Sequence, residues 1–252
     1  MSGHEGFSLA VLVWCVLGAA VLPLLFFITA PYGRFSRKGW GPTLPARAAW
    51  VLMESASALT TAAAFALGDR HSGVALVFFV MWQGHYVYRA WVFPLLLSKG
   101  ARPMPLSVVA MGASFNLVNA YFNGRWLFQL SPGYEPSWLT DPRFVVGAAL
   151  FIGGLATHVR ADQVLRKLRS PGQTGYRIPY GGLFRYVSCP NYLGEMVEWA
   201  GFALATWSLP GLSFAFWTMA NLLPRAVSSH RWYQAEFPEY PKERKAVIPF
   251  VL

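Results

Sequence analysis

No charged residue interrupts the chain from Gly6 to Ala30. A helix of about 20 apolar residues is long enough to cross a bilayer core. A run of this kind, with no basic start and too long for a cleaved signal peptide, predicts a retained membrane helix. Six more apolar segments follow, at Arg47–Leu67, Gly73–Leu97, Met104–Phe122, Arg143–Val159, Tyr192–Leu209 and Pro210–Val227. The expectation is an all-α polytopic membrane protein with seven transmembrane helices, forming one membrane domain over residues 1–252. Charged residues make up 13% of the chain, about half the usual share of a soluble domain. The last two segments meet at Leu209-Pro210-Gly211, where Pro blocks continuation and Gly accepts unusual dihedrals, so a helical hairpin is expected there.

The net charge of +10 lies between the spans. Arg34, Arg37 and Lys38 follow the first span, Lys99 and Arg102 the third, and Arg160, Arg166, Lys167, Arg169, Arg177 and Arg185 the fifth. In a seven-span scheme every net basic stretch falls on one side. The positive-inside rule then puts the N-terminus outside and the C-terminus in the cytosol. Charge in this position argues against nucleic acid as a partner. Cys15 lies in the first apolar run and Cys189 in a basic loop, so both are expected as free thiols.

Carboxylates at bilayer depth cost roughly 2.5–3.5 kcal/mol, so Glu54 needs a reason to be there. Trp50, Glu54, Ser57 and Thr61 share one helical face. Gln83, Tyr86 and Arg89 form a second polar stripe, and Asn116, Asn119 and Asn123 a third. At 1.5 Å per residue, Glu54 lies roughly 10 Å and Tyr86 roughly 16 Å from the cytosolic ends of their helices. Long side chains on antiparallel neighbours close that difference. Two readings remain: Glu54 and Tyr86 line a buried polar pocket, or Glu54 pairs with Arg89 and only locks the helices. The Asn stripe is equally open between interhelical bonding and ligand contact.

A further polar stretch is Tyr176–Trp199, with Arg177, Arg185, Asn191, Glu195 and Glu198 at the mouth of an apolar segment. Before it, the fifth helix is expected to extend into the cytosol through Asp162 and Arg169 and to stop at Pro171-Gly172. Asn191 also suits an N-cap, and Glu195 and Glu198 suit a helix N-terminus. Beyond the last span, His230 and Tyr233 stand about one turn apart. His, Cys and Asp do not converge with metal-ligand spacing, so no metal site is expected. There is no G-x-G-x-x-G, P-loop or G-x-S-x-G motif. A phosphate-bearing cofactor would therefore rest on arginine side chains.

The run from Tyr176 to Trp199 is strongly similar to the steroid 5α-reductase family. So are Ala203–Pro210, the His230-Arg231-Trp232-Tyr233 motif and the ending Tyr240–Leu252. The similarity extends upstream through Leu44–Trp50, His85–Arg89 and Arg160–Gly172. The resemblance implies a seven-helix membrane reductase that uses NADPH to reduce the 4,5 double bond of a 3-oxo-4-ene steroid. It implies that Glu54 and Tyr86 hold the 3-keto oxygen, with Trp50 and Met53 on the substrate side. It also implies a cofactor set of Asp162, Arg169, Arg177, Asn191, Glu195, His230 and Tyr233, together with Asn119 and Tyr32. Most of that set falls in the C-terminal part, 160–252. Met53 stands where many relatives carry Gln, and His158 where some carry Asn.

The chemistry agrees with those residues. Hydride adds to an enone β-carbon when the ketone oxygen is stabilised as an enolate forms. Tyr86 would donate to it, and Glu54 would either donate while protonated or brace Tyr86. Cofactor and steroid are expected to share one cavity. Two other reactions compete: reduction of long-chain trans-2-enoyl-CoA, and methyl transfer from S-adenosylmethionine of the isoprenylcysteine type. A sterol-binding receptor explains a cavity but not the arginine-rich loop. Membrane lipids are the expected surroundings and a monomer the expected state. The excess of Arg over Lys and the abundance of Ala suit a GC-rich bacterial genome. That places the chain in a bacterial cytoplasmic membrane (or the endoplasmic reticulum membrane if eukaryotic).

Overall fold

The computed structural model describes residues 3–98, 100–168 and 175–252. These residues are mainly helical. In order they form α1 (Gly3–Phe27), α2 (Ala46–Leu67), α3 (Gly73–Val87), α4 (Phe93–Leu96), α5 (Leu106–Arg125), α6 (Pro142–Lys167), α7 (Pro190–Thr206) and α8 (Leu209–Glu236). Three of them, α1, α2 and α6, are long and apolar enough to cross a membrane by length and composition. The others are shortened, as α7 is, or carry buried polar groups such as Asn116, Asn119 and Asn123 of α5 that lower their hydropathy.

Two π-helical segments extend the expected helices. Tyr88–Val92 joins α3 to α4, and Trp126–Leu130 continues α5. The first has a readable cause. Pro94 has no N–H, and its ring would crowd the carbonyl four residues back, at Ala90. The backbone relieves this by widening one turn.

The chain divides into two compact units. The first comprises Met1–Val11, Ala30–Val145 and Ser208–Pro210. Its centre is the packing of α2 on α5, where Gly112 leaves room for the Met53 thioether. A two-residue antiparallel ladder pairs β1 (Thr43–Leu44) with β2 (Met104–Pro105), in register Thr43 with Pro105 and Leu44 with Met104. It is reinforced by Leu106 N–H to Pro42 O (2.8 Å) and Ser107 Oγ to Trp40 O (2.7 Å). Ala49, Met53, Met104, Val108 and Val109 form the apolar cluster beneath it.

At the entry to α6, the Asp141 carboxylate takes the Arg143 backbone N–H and its guanidinium, at 2.9, 2.9 and 2.8 Å. That guanidinium holds the Asp141 carboxyl at about 2, against an ordinary 3.8. Because the folded value lies below the unfolded one, the pair stabilises fully above about pH 4, and the benefit fades as pH falls toward about 2. Acid unfolding followed by circular dichroism should show Asp141→Asn less stable than the parent at neutral pH. The difference should vanish at the acid end of that window.

The second unit comprises Leu12–Thr29, Val146–Trp207 and Gly211–Leu252. Here α6 and α7 meet backbone to backbone. A Cβ at Gly154 would lie 2.6 Å from Gly194 O, and one at Gly201 would lie 2.6 Å from Gly147 O. Glycines seven residues apart on each helix therefore form a seam with no side chain in it. On its other side, Trp217 Nε1 donates to Trp14 O at 3.0 Å, and Thr29 meets Ser228 at 3.1 Å.

Two expected boundaries move and a third holds. The α7–α8 break falls at Trp207, which takes a left-handed φ of 44°, and Ser208. Leu209-Pro210-Gly211 is instead the first turn of α8, where a proline needs no hydrogen-bonded N–H. Asn191 is not a cap: α7 starts at Pro190, and Cys189 holds the cap position without a side-chain bond. Helix α6 runs past Val159 to Lys167, as expected, while Arg169 and the Pro171-Gly172 stop lie outside the described residues. Both cysteines are unbridged.

Candidate active site

In the first unit three polar side chains meet inside apolar packing. Glu54 on α2, Tyr86 on α3 and Asn116 on α5 are 8%, 2% and 6% exposed. Asn116 Nδ2 donates to Glu54 Oε2 at 3.0 Å and to Met53 O at 2.9 Å. Only the NH₂ end of an amide can face two acceptors, so Oδ1 faces the other way. There it accepts from the Tyr86 hydroxyl at 3.5 Å. The structure thus joins Glu54 and Tyr86 through Asn116.

The Glu54–Arg89 contact weighed from sequence is also present, with Arg89 Nε 3.7 Å from Glu54 Oε1. Arg89 stands on the π-helical segment, and its guanidinium lies 4.3 Å from the Trp50 ring and 4.8 Å from Phe93. Cation–π contact on two sides fixes a charge whose partner sits in a desolvated place. Tyr86 is backed by Trp82, stacked at 5.5 Å, whose Nε1 donates to Ser57 Oγ at 3.1 Å. The polar faces read on α2 and α3 therefore do turn toward each other. Trp50 and Met53 lie beside this group in the apolar cluster, together with Tyr32, whose ring meets Trp50 edge-on at 6.0 Å.

The asparagine stripe resolves residue by residue. Asn119 Nδ2 turns back to Phe115 O at 2.8 Å. Asn123 Nδ2 bonds Asn119 O at 3.0 Å and Pro210 O at 3.3 Å. Asn116 is the member of the stripe that donates to the carboxylate, at 3.0 Å. Tyr32 and Asn119 belong to this unit, apart in sequence from the other residues of the expected cofactor set.

The second unit holds those others. The seam sets the His158 backbone of α6 against Gly194 and the Glu198 backbone of α7 against Gly154, and so brings His158 to Glu195 and Glu198. His158 Nδ1 lies 3.6 Å from Glu195 and 3.9 Å from Glu198, and Nε2 lies 3.3 Å from Asp162. His158, Asp162 and Glu198 are buried, and Glu195 is half-buried. Arg177 is exposed and Asn191 half-buried. The turn before Arg185 uses Gly181 and Gly182 at positive φ, 90° and 52°. His230 and Tyr233 share the last turns of α8, and both reach Tyr240. Tyr233 stacks on it at 5.2 Å, and His230 connects to it through Ser188.

Residues 102–252 match the sequence profile of the family described as 3-oxo-5-alpha-steroid 4-dehydrogenase. The chain is 43% identical over 243 residues to 3-oxo-5-alpha-steroid 4-dehydrogenase 1 of Bos taurus, covering 94% of each chain. The chain belongs to the steroid 5α-reductase family. It is also 41% identical over 253 residues to steroid 5-alpha-reductase DET2 of Arabidopsis thaliana, covering 97% of this chain and 96% of that one. With 3-oxo-5-alpha-steroid 4-dehydrogenase 1 of Homo sapiens it shares 40% identity over 240 residues, 94% of this chain and 92% of the other. The chain is accordingly an enzyme of the oxidoreductase class. As a steroid 5α-reductase family member it carries Asn116 and the whole second-unit cluster inside the profile match. Glu54 and Tyr86 lie upstream of that match, in the part reached by the near full-length similarity.

Proposed function

We propose that the enzyme reduces the 4,5 double bond of a 3-oxo-4-ene steroid to the 5α-dihydrosteroid, with NADPH as reductant. The observation that carries this reading is the buried Tyr86–Asn116–Glu54 network among aromatic rings. A 3-keto oxygen gains negative charge as the enolate forms, and a donor preorganised in a dry site stabilises it. Tyr86 is that donor. Its bond to Asn116 is long at 3.5 Å, against about 2.7–2.8 Å for a strong hydroxyl bond. A ketone oxygen is a better-placed acceptor and would take the hydroxyl over. Glu54, held by Asn116 and Arg89, braces the amide that aims Tyr86. Met53 and Trp50 line the substrate side.

The residues proposed for the cofactor suit a nicotinamide dinucleotide. Asp162 and Glu195 accept from ribose hydroxyls and the carboxamide, and Asn191 both donates and accepts. Arg169, Arg177 and His230 donate to phosphate oxygens, with Tyr233, Asn119 and Tyr32 completing the set. When bound, NADPH supplies the hydride that adds to the enone β-carbon. Arg169→Ala should weaken NADPH binding about tenfold, the scale of one charge-assisted hydrogen bond. Fluorescence titration reads this directly, and an unchanged affinity would remove Arg169 from the set. Asn116→Ala should lower turnover about tenfold with NADPH affinity kept, because it unties Tyr86 without touching the dinucleotide residues.

The proposal includes the arrangement in the membrane: one domain of seven spans, outer N-terminus, cytosolic C-terminus and a cofactor site reached from the cytosol. The basic loops support it through the positive-inside rule. Incubating purified enzyme with NADPH and testosterone or progesterone tests the reaction, with products resolved as 5α or 5β by gas chromatography–mass spectrometry against authentic standards of both epimers. A 5α product is expected. No product, with turnover of a trans-2-enoyl-CoA or of S-adenosylmethionine instead, would transfer the reading to one of those reactions.

A further inference from the structure

The C-terminal tail folds back on the entry to α7. Ser188 N–H bonds Lys245 O at 2.9 Å, and Cys189 N–H bonds Ala246 O at 3.1 Å. This clamp sets the Ser188 hydroxyl between two rings. Its Oγ is 2.6 Å from the Tyr240 hydroxyl and 2.6 Å from His230 Nδ1. Tyr240 is fixed in turn by its stack on Tyr233 and by the Arg244 guanidinium, 5.2 Å from its ring. Arg244 is anchored by a 2.9 Å bond to Pro179 O.

The direction of these hydrogen bonds follows from counting hydrogens. Tyr240 is 4% exposed, and Ser188 is the only hydrogen-bond partner of its hydroxyl among the described residues. A buried hydroxyl hydrogen without an acceptor is costly, so Tyr240 donates to Ser188. Serine has a single hydrogen, which then goes to His230 Nδ1. Nδ1 accepts, and the ring proton resides on Nε2. Burial, and then the nearby Lys245 ammonium, push the His230 imidazole below its usual range, which agrees with a neutral ring.

We infer that Tyr240 and Ser188 are positioning residues that set His230 as the neutral Nε2–H tautomer, so that it meets its ligand as a hydrogen-bond donor. That the ligand atom is an oxygen of the nicotinamide dinucleotide rests on the cofactor reading above. The tautomer does not.

The test uses full-length protein labelled with 15N-histidine, in detergent and without cofactor, with His230 assigned by its loss in His230→Gln. The expected spectrum shows an unprotonated Nδ1 and a protonated Nε2 at pH 7.5. Ser188→Ala should release the ring into tautomer exchange, and Ser188→Thr should keep the parent spectrum. Tyr240→Phe, which leaves the serine in place, should give a mixed tautomer and serves if Ser188→Ala fails to fold. An Nδ1–H ring or an imidazolium in the parent protein would overturn the inference. In the second arm, Ser188→Ala should raise the KM for NADPH about fivefold, with kcat within about twofold, and Ser188→Thr should restore it. Equal losses in kcat and affinity, or no rescue by Thr, would reject the positioning role. If the tautomer is found and the parent protein binds no NADPH, the cofactor reading fails and the hydrogen-bond chain stands.

Discussion

Replacing Tyr86 with Phe should lower turnover of a 3-oxo-4-ene steroid about 10²–10³-fold, the scale observed when one oxyanion donor is removed. NADPH affinity should not change. The substitution deletes one oxygen from a residue that is 2% exposed and leaves the ring to stack on Trp82 at 5.5 Å. Asn116 keeps both of its donated bonds, to Glu54 and Met53, so the packing of α2, α3 and α5 survives. Single-turnover kinetics with saturating NADPH isolate the effect from binding. Turnover within a few-fold of the parent would mean that another group stabilises the ketone oxygen, and Tyr86 would leave the mechanism.

Gly154→Leu should prevent a stable second unit from forming. A Cβ there meets Gly194 O and the Glu198 backbone, and backbone cannot swing aside as a side chain does. The cost should exceed the roughly 1–3 kcal/mol of ordinary overpacking. Gly153→Ala is the matched control, since a Cβ at that position meets nothing within 4 Å. Thermal unfolding with size-exclusion chromatography separates the two: the control should melt with the parent, and Gly154→Leu should aggregate or melt far lower. A Gly154→Leu protein that melts with the parent would show that α6 and α7 do not meet as described.

Period and charge carried much of this. The order of the helices, the turned-in faces of α2 and α3, and the extension of α6 past Val159 to Lys167 are all written in spacing that sequence displays. Level along a helix is not. Asn116, Asn119 and Asn123 share a face and look alike in sequence, but Asn116 donates to Glu54 while the amides of Asn119 and Asn123 bond backbone carbonyls. The pairing depends on how far α5 slides along α2. Arg89 owes its place to a widened turn whose cause, Pro94, was legible but whose consequence needs three-dimensional packing. Asn191 also suited an N-cap by residue type, but Pro190 opens α7 one residue earlier, being itself well suited to a first helical turn. Ser188 and Tyr240 escaped notice because their meeting requires a tail fifty residues away to fold back.

The ladder between Thr43–Leu44 and Met104–Pro105 carries a constraint on how the chain threads the lipid. Backbone strands pair only where both are present on the same face of the membrane. The chain between Leu44 and Met104 must therefore cross an even number of times, whichever helices do the crossing. During synthesis, residue 43 has to wait on that face until residue 105 returns to it. A tag or glycan acceptor placed beside each strand should always report the same compartment, and a variant that inverts one of the intervening helices would lose the pairing altogether.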